Sequence, residues 1–455
     1  MTRGSGGRKE GLAAEVEDEA EGKSPVRTSA IVCTKESLAA LVGVLVLWGI
    51  LGVVFVRTTA GDAFSHDFDA HLEYTRLIAR EHRLPSPTEA RETFQPPLYY
   101  LLASLLRPEA ADHVRWVRLA SVALGGVTLA LIAYALGRLA VGPILTATVL
   151  LFLATTPKFL FLFTSYNNDA LATPMAVAAA ALAHRLWRGW RWPLGGLLVA
   201  VVGAGVYTKS TVLFAVAAIG TVVALAWIKQ EPGEGRRGAV RILGALALGV
   251  GCFAPWAVLH NHRLSGSFFP VPCEQMPAGL LLPEAPLRTI LTPPGITSGE
   301  WADPFTHQWD ETDNKKSSYL AYLFVTSVIG EFNLTEPGEQ AVWLLLWLHL
   351  FVYVWALGRA WRAAAGRAAL GALVLTFTLF ASYLFRCPYA PCMDYRFVAW
   401  TWLPWAVVYA EALRAAEPPA PSGRAAGLRA ATSLLPFVAT VVLQLDVIVA
   451  ISRAA

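Results

Sequence analysis

A chain of 455 residues that is 55% hydrophobic and only 15% charged is too apolar for a soluble globular protein, where about a quarter of residues carry charge. With 16 Trp, 13 Tyr and 21 Phe, it reads instead as a polypeptide that crosses a bilayer many times. The net charge of +4 is small, and no run of Lys and Arg is interleaved with aromatics, so a nucleic-acid partner is excluded.

Residues 1 to 30 are polar, mixed in charge and rich in Gly and Glu, which predicts a disordered tail. The run from Leu38 to Val56 is long enough to span, so the start of the chain is not read as a cleavable signal. Next comes SHDFDAHLEYTRLIAREHRLPSPTEARETFQPPLYY, from Ser65 to Tyr100. As a helix it stacks Asp69 on Glu73 and Arg76 on Arg80, with Phe68, Leu72, Thr75 and Ala79 opposite. That predicts an amphipathic helix at a membrane surface, ended by Pro85 and Pro87 and followed by a second break at Pro96-Pro97. Two carboxylates, Asp67 and Asp69, flanked by His66 and His71, suit proton transfer; a solvated loop helix is the plainer alternative.

Further spans are expected at 114–137, 143–163, 169–188, 193–208, 210–228, 240–259, 340–358, 368–385, 397–413 and 431–452, about 11 in all with the first. Alternate connections carry the arginines and lysines, among them Arg138, Arg185, Arg237, Arg362 and Arg414, which sets those connections in the cytoplasm. The opposite side then gathers the Ser65–Tyr100 loop, the SYNND and YTKS turns, a long loop from His260 and the RCPYAPCMDYR segment. This parity was fixed by the basic residues alone, yet every other polar group of interest falls on that one face.

The long loop carries Pro-rich turns, then Glu300, Trp301, Asp303, His307, Trp309, Asp310, Glu311 and Asp313, a mixture suited to sugar stacking and hydroxyl binding or simply to an interfacial loop. Asn333-Leu334-Thr335 is a formal sequon. Of 5 Cys, Cys33 and Cys252 lie in or near apolar runs, Cys273 is in the long loop, and Cys387 and Cys392 could form a disulfide on an oxidising face. No spacing supports structural zinc, and no internal repeat marks a transporter.

Three polar clusters sit beside the spans. Asn167, Asn168 and Asp169 open one of them, as a cap or as hydroxyl- and cation-binding groups. Lys209 interrupts apolar sequence and either snorkels or holds an anion. Asp394 and Arg396 make a structural pair or part of a phosphate clamp. Together they fit transfer of a group from a lipid phosphate to a hydroxyl.

The run D-F-D-A-H-L-E-Y, then R-L-P and Q-P-P-L-Y-Y, resembles the first outer loop of polytopic GT-C-type glycosyltransferases that use polyprenyl-phosphate sugars, the bacterial protein-mannosyltransferase-like and aminoarabinose-transferase-like families. Asn168-Asp169-Ala170-Leu171-Ala172, Thr208-Lys209-Ser210 and Asp394-Tyr395-Arg396-Phe397 resemble later elements of the same families. The resemblance implies an all-α, GT-C-like integral membrane protein of the plasma or inner membrane. Its catalytic module would cover 31–259 with the first outer loop at 58–112, followed by a long extracytoplasmic loop at 260–338 and C-terminal helices at 339–455. It implies inverting transfer of a sugar from a polyprenyl-phosphate donor to a glycan, lipid or protein hydroxyl outside the cytoplasm. Asp67 would be the general base, or Asp69, supported by His71; Gln95, Tyr99, Asn168, Asp169, Lys209, Asp394 and Arg396 would contact substrate. Some relatives bind a divalent metal near these acids, which leaves one possible here without a motif that requires it. A transporter or flippase of lipid-linked sugars is the alternative, and it would lack covalent chemistry.

Overall fold

Apolar runs punctuated by Pro and short polar turns fold into helices whose ends those residues set. The computed structural model describes residues 35–62, 67–230, 233–268, 286–291, 318–330, 339–416 and 424–454. The tail at 1–30, His66, Cys33, Cys273, the Trp- and acid-rich stretch at 300–313 and the Asn333–Thr335 sequon lie outside the described residues. Within the described residues the chain is all-α.

Ten helices make up the first half: α1 (Lys35–Thr58), α2 (Phe68–Glu81), α3 (Leu98–Ser104), α4 (His113–Arg138), α5 (Pro143–Thr155), α6 (Pro157–Thr164), α7 (Asp169–Trp187), α8 (Trp192–Thr208), α9 (Val212–Ile228) and α10 (Glu234–Gly251). Proline occupies the first turn of α5, α6 and α8, where its missing N–H costs nothing. Later helices run Tyr319–Val328, Glu339–Ala360, Ala364–Tyr383, Trp402–Ala416 and Arg424–Ala454. A helix stands at the place of every expected span. Only 5 of them are long and apolar enough to cross a membrane alone, so the expected count of about 11 is not reached on that measure.

Three expected spans differ in form. The 143–163 span is two helices bent by 65° at Thr156. Pro157 supplies no donor to the helix, and Thr156 is extended (φ −62°, ψ 122°). The break is satisfied from the last helix: Thr155 Oγ1 donates to Gln444 Oε1 at 2.5 Å, and Gln444 Nε2 donates to Thr156 Oγ1 at 3.1 Å. The 240–259 span continues past α10 into a π-helical turn, Trp256–His262. The 397–413 span opens with a 3₁₀ turn, Tyr395–Thr401, before its α-helix.

Close packing around small residues ties the first spans together. Trp48 on α1 donates its indole N–H to the Val122 carbonyl of α4 at 2.8 Å and is only 2% exposed. Its ring lies edge-on to Phe159 and Phe163 of α6. A Cβ on Gly125 would enter the space of both Trp48 and Phe163. Gly125→Val is therefore expected to destabilise the protein by about 1–3 kcal/mol, read as a shorter half-life at elevated temperature in detergent. An unchanged half-life would show that this seam can loosen at no cost.

The amphipathic helix α2 is found, but its apolar face meets protein rather than a lipid surface. Leu72, Tyr74, Thr75 and Ile78 pack with Tyr99, Tyr100, Val117 and Tyr166, while Asp69 and Glu73 are exposed. The 67–97 loop meets the start of α7 and the 3₁₀ turn from Tyr395, and elsewhere Arg414 donates to the Leu139 carbonyl at 2.9 Å.

Candidate functional site

The site is built where four chain breaks face one another: the turn before α2, the Asn167–Asp169 turn before α7, the Thr208–Thr211 turn between α8 and α9, and the 3₁₀ turn from Tyr395. Asp67 stands at the N-cap position of α2, where its side chain makes no cap bond, and is 8% exposed. Its Oδ2 accepts from Arg396 Nη2 at 3.0 Å, and its Oδ1 accepts from Arg91 at 2.9 Å. Burial alone would raise this carboxyl, but the guanidinium charges of Arg396 and Arg91 outweigh it and hold Asp67 below the ordinary carboxylate range. His71, one turn on, is buried and shares a hydrogen bond with the Tyr100 hydroxyl at 2.8 Å. Burial pushes its imidazole down to about 3, so it is neutral at physiological pH.

Two further ion pairs lie beside this one. Lys209 Nζ reaches both carboxylate oxygens of Asp169 at 2.7 Å, with both side chains 4% exposed. Lys158 Nζ pairs with Asp394 at 2.8 Å, and the Asp394 carboxylate also accepts the Arg396 backbone N–H at 2.5 Å. The ring of Phe397 joins them: Lys209 Nζ stands 4.8 Å and the Arg396 guanidinium 5.1 Å from its centroid. The structural-pair reading of Asp394 and Arg396 is thus half right. Asp394 is held by Lys158 and the Arg396 backbone amide, while the Arg396 side chain reaches Asp67.

The other expected residues fall around these pairs. Asn168 is fully buried, and its Nδ2 lies 3.4 Å from Gln95 Oε1 and from the Tyr100 hydroxyl. The cap of α7 is made by Asn167, whose Oδ1 accepts the Ala170 N–H at 3.0 Å, so Asp169 is not needed as a cap. Tyr99 packs edge-on to Tyr100 and Tyr166. Asp69 is the exception: it is exposed on the far side of α2 and does not join the cluster, so it is set aside as base.

Sequence reasoning passed over Lys158, Arg91, Tyr100 and Glu92. Lys158 carried the same signal as Lys209, a lone ammonium in an apolar run, and the break at Pro157 is what turns it toward Asp394. The Cys387 and Cys392 thiols are buried and in hydrogen-bond contact, with Sγ atoms 3.0 Å apart, and are not joined as a disulfide. Among the described residues, no three His, Cys, Asp or Glu side chains gather as metal ligands. Asp67 already has a guanidinium on each oxygen, so the donor set does not fit a divalent metal.

Comparison with known proteins now bears on this geometry. Residues 95–258 match the family model described as dolichyl-phosphate-mannose-protein mannosyltransferase. No curated protein matches the chain by sequence. Among solved structures, the Archaeoglobus fulgidus oligosaccharyltransferase AglB, in complex with an inhibitory peptide and a dolichol-phosphate, superposes with a TM-score of 0.50 at 13% identity, covering 92% of this chain and 56% of that one. The same organism's oligosaccharyltransferase in the apo form gives 0.49 at 14% identity, over 90% and 56%. The chain therefore spans little more than half the length of the proteins whose fold it shares. Within the described residues it is all-α, with several helices long and apolar enough to cross a membrane, it shares its fold with the archaeal oligosaccharyltransferase, and its residues 95–258 match the dolichyl-phosphate-mannose-protein mannosyltransferase model.

Proposed function

We propose that this protein is a membrane glycosyltransferase that moves a sugar from a polyprenyl-phosphate carrier to an acceptor hydroxyl on the extracytoplasmic face, with inversion at the anomeric carbon. The observation that carries the reading is the Asp67–Arg396 pair, which joins residues 329 positions apart beside Lys209–Asp169 and Lys158–Asp394. The basic connections that alternate in sequence with the loops of the site support its assignment to the outside. The family match supports a polyprenyl-phosphate mannose donor, and the peptide in the archaeal complex supports a protein acceptor.

In this mechanism the carrier phosphate competes for Arg396, with Lys209 contributing positive potential beside it. A phosphate is a good leaving group once its charge is balanced, so no protonated acid is required. As Arg396 turns to the phosphate, Asp67 loses the stronger of its restraints and recovers basicity. The acceptor oxygen attacks the anomeric carbon from the face opposite the phosphate, its proton passes to Asp67, and the sugar–phosphate bond breaks with its electron pair leaving on the phosphate. Binding the donor thus arms the base.

The test is transfer of mannose from polyprenyl-phosphate mannose by the purified full chain in lipid nanodiscs, offered hydroxyl-bearing peptides. Product with inverted anomeric configuration is the expected result. A protein that binds the donor and moves it across the bilayer without product would overturn the reading.

A further inference from the structure

We propose that Glu92 and Asn168, linked through Gln95, form a subsite that takes the hydroxyl groups of the transferred sugar, with Glu92 as its specificity-determining residue. The inference rests on the carrier-linked sugar reading above and deepens it. Glu92 lies in the wound turn before α3, where the Gln95 N–H donates to its carbonyl at 3.0 Å. Its side chain is buried, and the residue is 5% exposed. The Gln95 side chain lies beside the carboxyl, whose Oε2 has no partner. Asn168 repeats the pattern from the start of α7: it is 0% exposed, its Nδ2 is shared at 3.4 Å by Gln95 Oε1 and Tyr100 and at 3.5 Å by the Thr208 carbonyl, and its Oδ1 has no partner.

Two buried oxygens left unsatisfied on one short chain of side chains ask for a ligand that supplies donors. The phosphodiester of the carrier is an anion that supplies none. A sugar hydroxyl both donates and accepts. The two chemistries of a polyprenyl-phosphate sugar are thus separated: phosphate toward Arg396 and Lys209, ring hydroxyls toward Glu92 and Asn168.

The charge state of Glu92 agrees with this division. Burial first, and the Asp67 charge second, push its carboxyl up to about 8, against the opposing pull of Lys209 and Arg396. The groups around it are Asp67 before α2, Tyr74 from α2, Gln95 and Tyr100 around the start of α3, Lys209 before α9, and Arg396 from the 3₁₀ turn. Below about pH 8 the carboxyl is neutral and offers both a donor and an acceptor. Above it, a second anion would stand beside Asp67 and the donor capacity would be lost.

The experiment compares binding of polyprenyl-phosphate mannose and of bare polyprenyl phosphate to the full chain in nanodiscs. Glu92→Ala is expected to weaken the mannosylated carrier by about tenfold or more, the scale of a lost buried hydrogen bond, while bare carrier changes by less than about twofold. Wild-type affinity for the mannosylated carrier should fall above about pH 8, and Glu92→Gln, which cannot ionise, should bind more weakly than wild type at pH 7 but without that alkaline fall. An equal loss for both carriers in Glu92→Ala, or an alkaline fall that survives in Glu92→Gln, overturns the subsite. A wild-type protein that binds neither carrier overturns the donor reading itself; one that binds both while Glu92→Ala changes neither sinks only the sugar subsite.

Discussion

Asp67→Asn is expected to lower sugar transfer by about 10²–10⁴-fold, the range a positioned general base contributes, while leaving the affinity for carrier phosphate intact or slightly raised. The reasoning starts from the two hydrogen bonds that occupy this carboxylate, from Arg91 at 2.9 Å and from Arg396 at 3.0 Å. An amide of the same shape still accepts one of them, so the turn before α2 has a partner to hold it. What is lost is the negative charge, and with it the capacity to take a proton. Arg396 meanwhile loses a competitor for the phosphate, which is why binding should not suffer. Asp69→Asn serves as the contrast: that side chain is exposed on the opposite side of α2, and transfer should stay near the wild-type rate. The measurement is single-turnover transfer with prebound donor, alongside carrier affinity. Transfer at the wild-type rate in a folded Asp67→Asn protein would remove Asp67 from the chemistry, whatever its neighbours.

The helices were legible because a bilayer leaves the sequence little freedom. A segment that crosses hydrocarbon must be apolar over its length and must satisfy its backbone internally, so its position can be read from hydropathy alone. How each helix is interrupted was less legible. A proline is visible at 157, but not Gln444, which arrives from almost 290 residues away to hydrogen-bond the Thr155 and Thr156 hydroxyls beside the 65° bend. The same long-range dependence explains Lys158, whose partner becomes apparent only when the break aims it at Asp394.

The site was legible to the extent that charge in an apolar setting is conspicuous. Lys209, Asp169, Asp394 and Arg396 stand out for that reason, and basic-residue parity gathered them on one side before any coordinates. Pairing was not legible. Nothing in the local sequence says that Arg396 bypasses Asp394, two residues away, for Asp67. Glu92 was missed because it sits in a polar stretch, TEARETFQ, where a carboxylate is unremarkable until the fold buries it. Choosing between Asp67 and Asp69 likewise required the helix to be rotated against its neighbours. Two residues of helix turn through roughly 200°, so only one of the pair can face the site.

Breaking the Lys209–Asp169 pair should have the second-largest effect, on stability and activity together. Each side chain is 4% exposed and each is the other's counterion at 2.7 Å. Lys209→Met leaves a carboxylate buried without its cation; Asp169→Asn leaves an ammonium without its anion. Removing one member of a buried pair costs about 3–5 kcal/mol, whereas removing both can be close to neutral because neither charge then needs solvation. The double variant Asp169→Asn/Lys209→Met should accordingly recover most of the thermal half-life that either single change loses. It should not recover transfer, since the positive charge beside Arg396 is gone and the developing phosphate charge has one fewer cation near it. Asp169→Asn alone separates the roles from the other side, because it keeps the ammonium and releases it toward the phosphate. Carrier affinity in whatever fraction stays folded should hold or rise while stability falls. The decisive comparison is between the double variant and wild type at equal folded fraction. Equal transfer rates would make Lys209 a scaffold residue that happens to adjoin the site, and a loss confined to the double variant and Lys209→Met would make it part of the phosphate-binding charge.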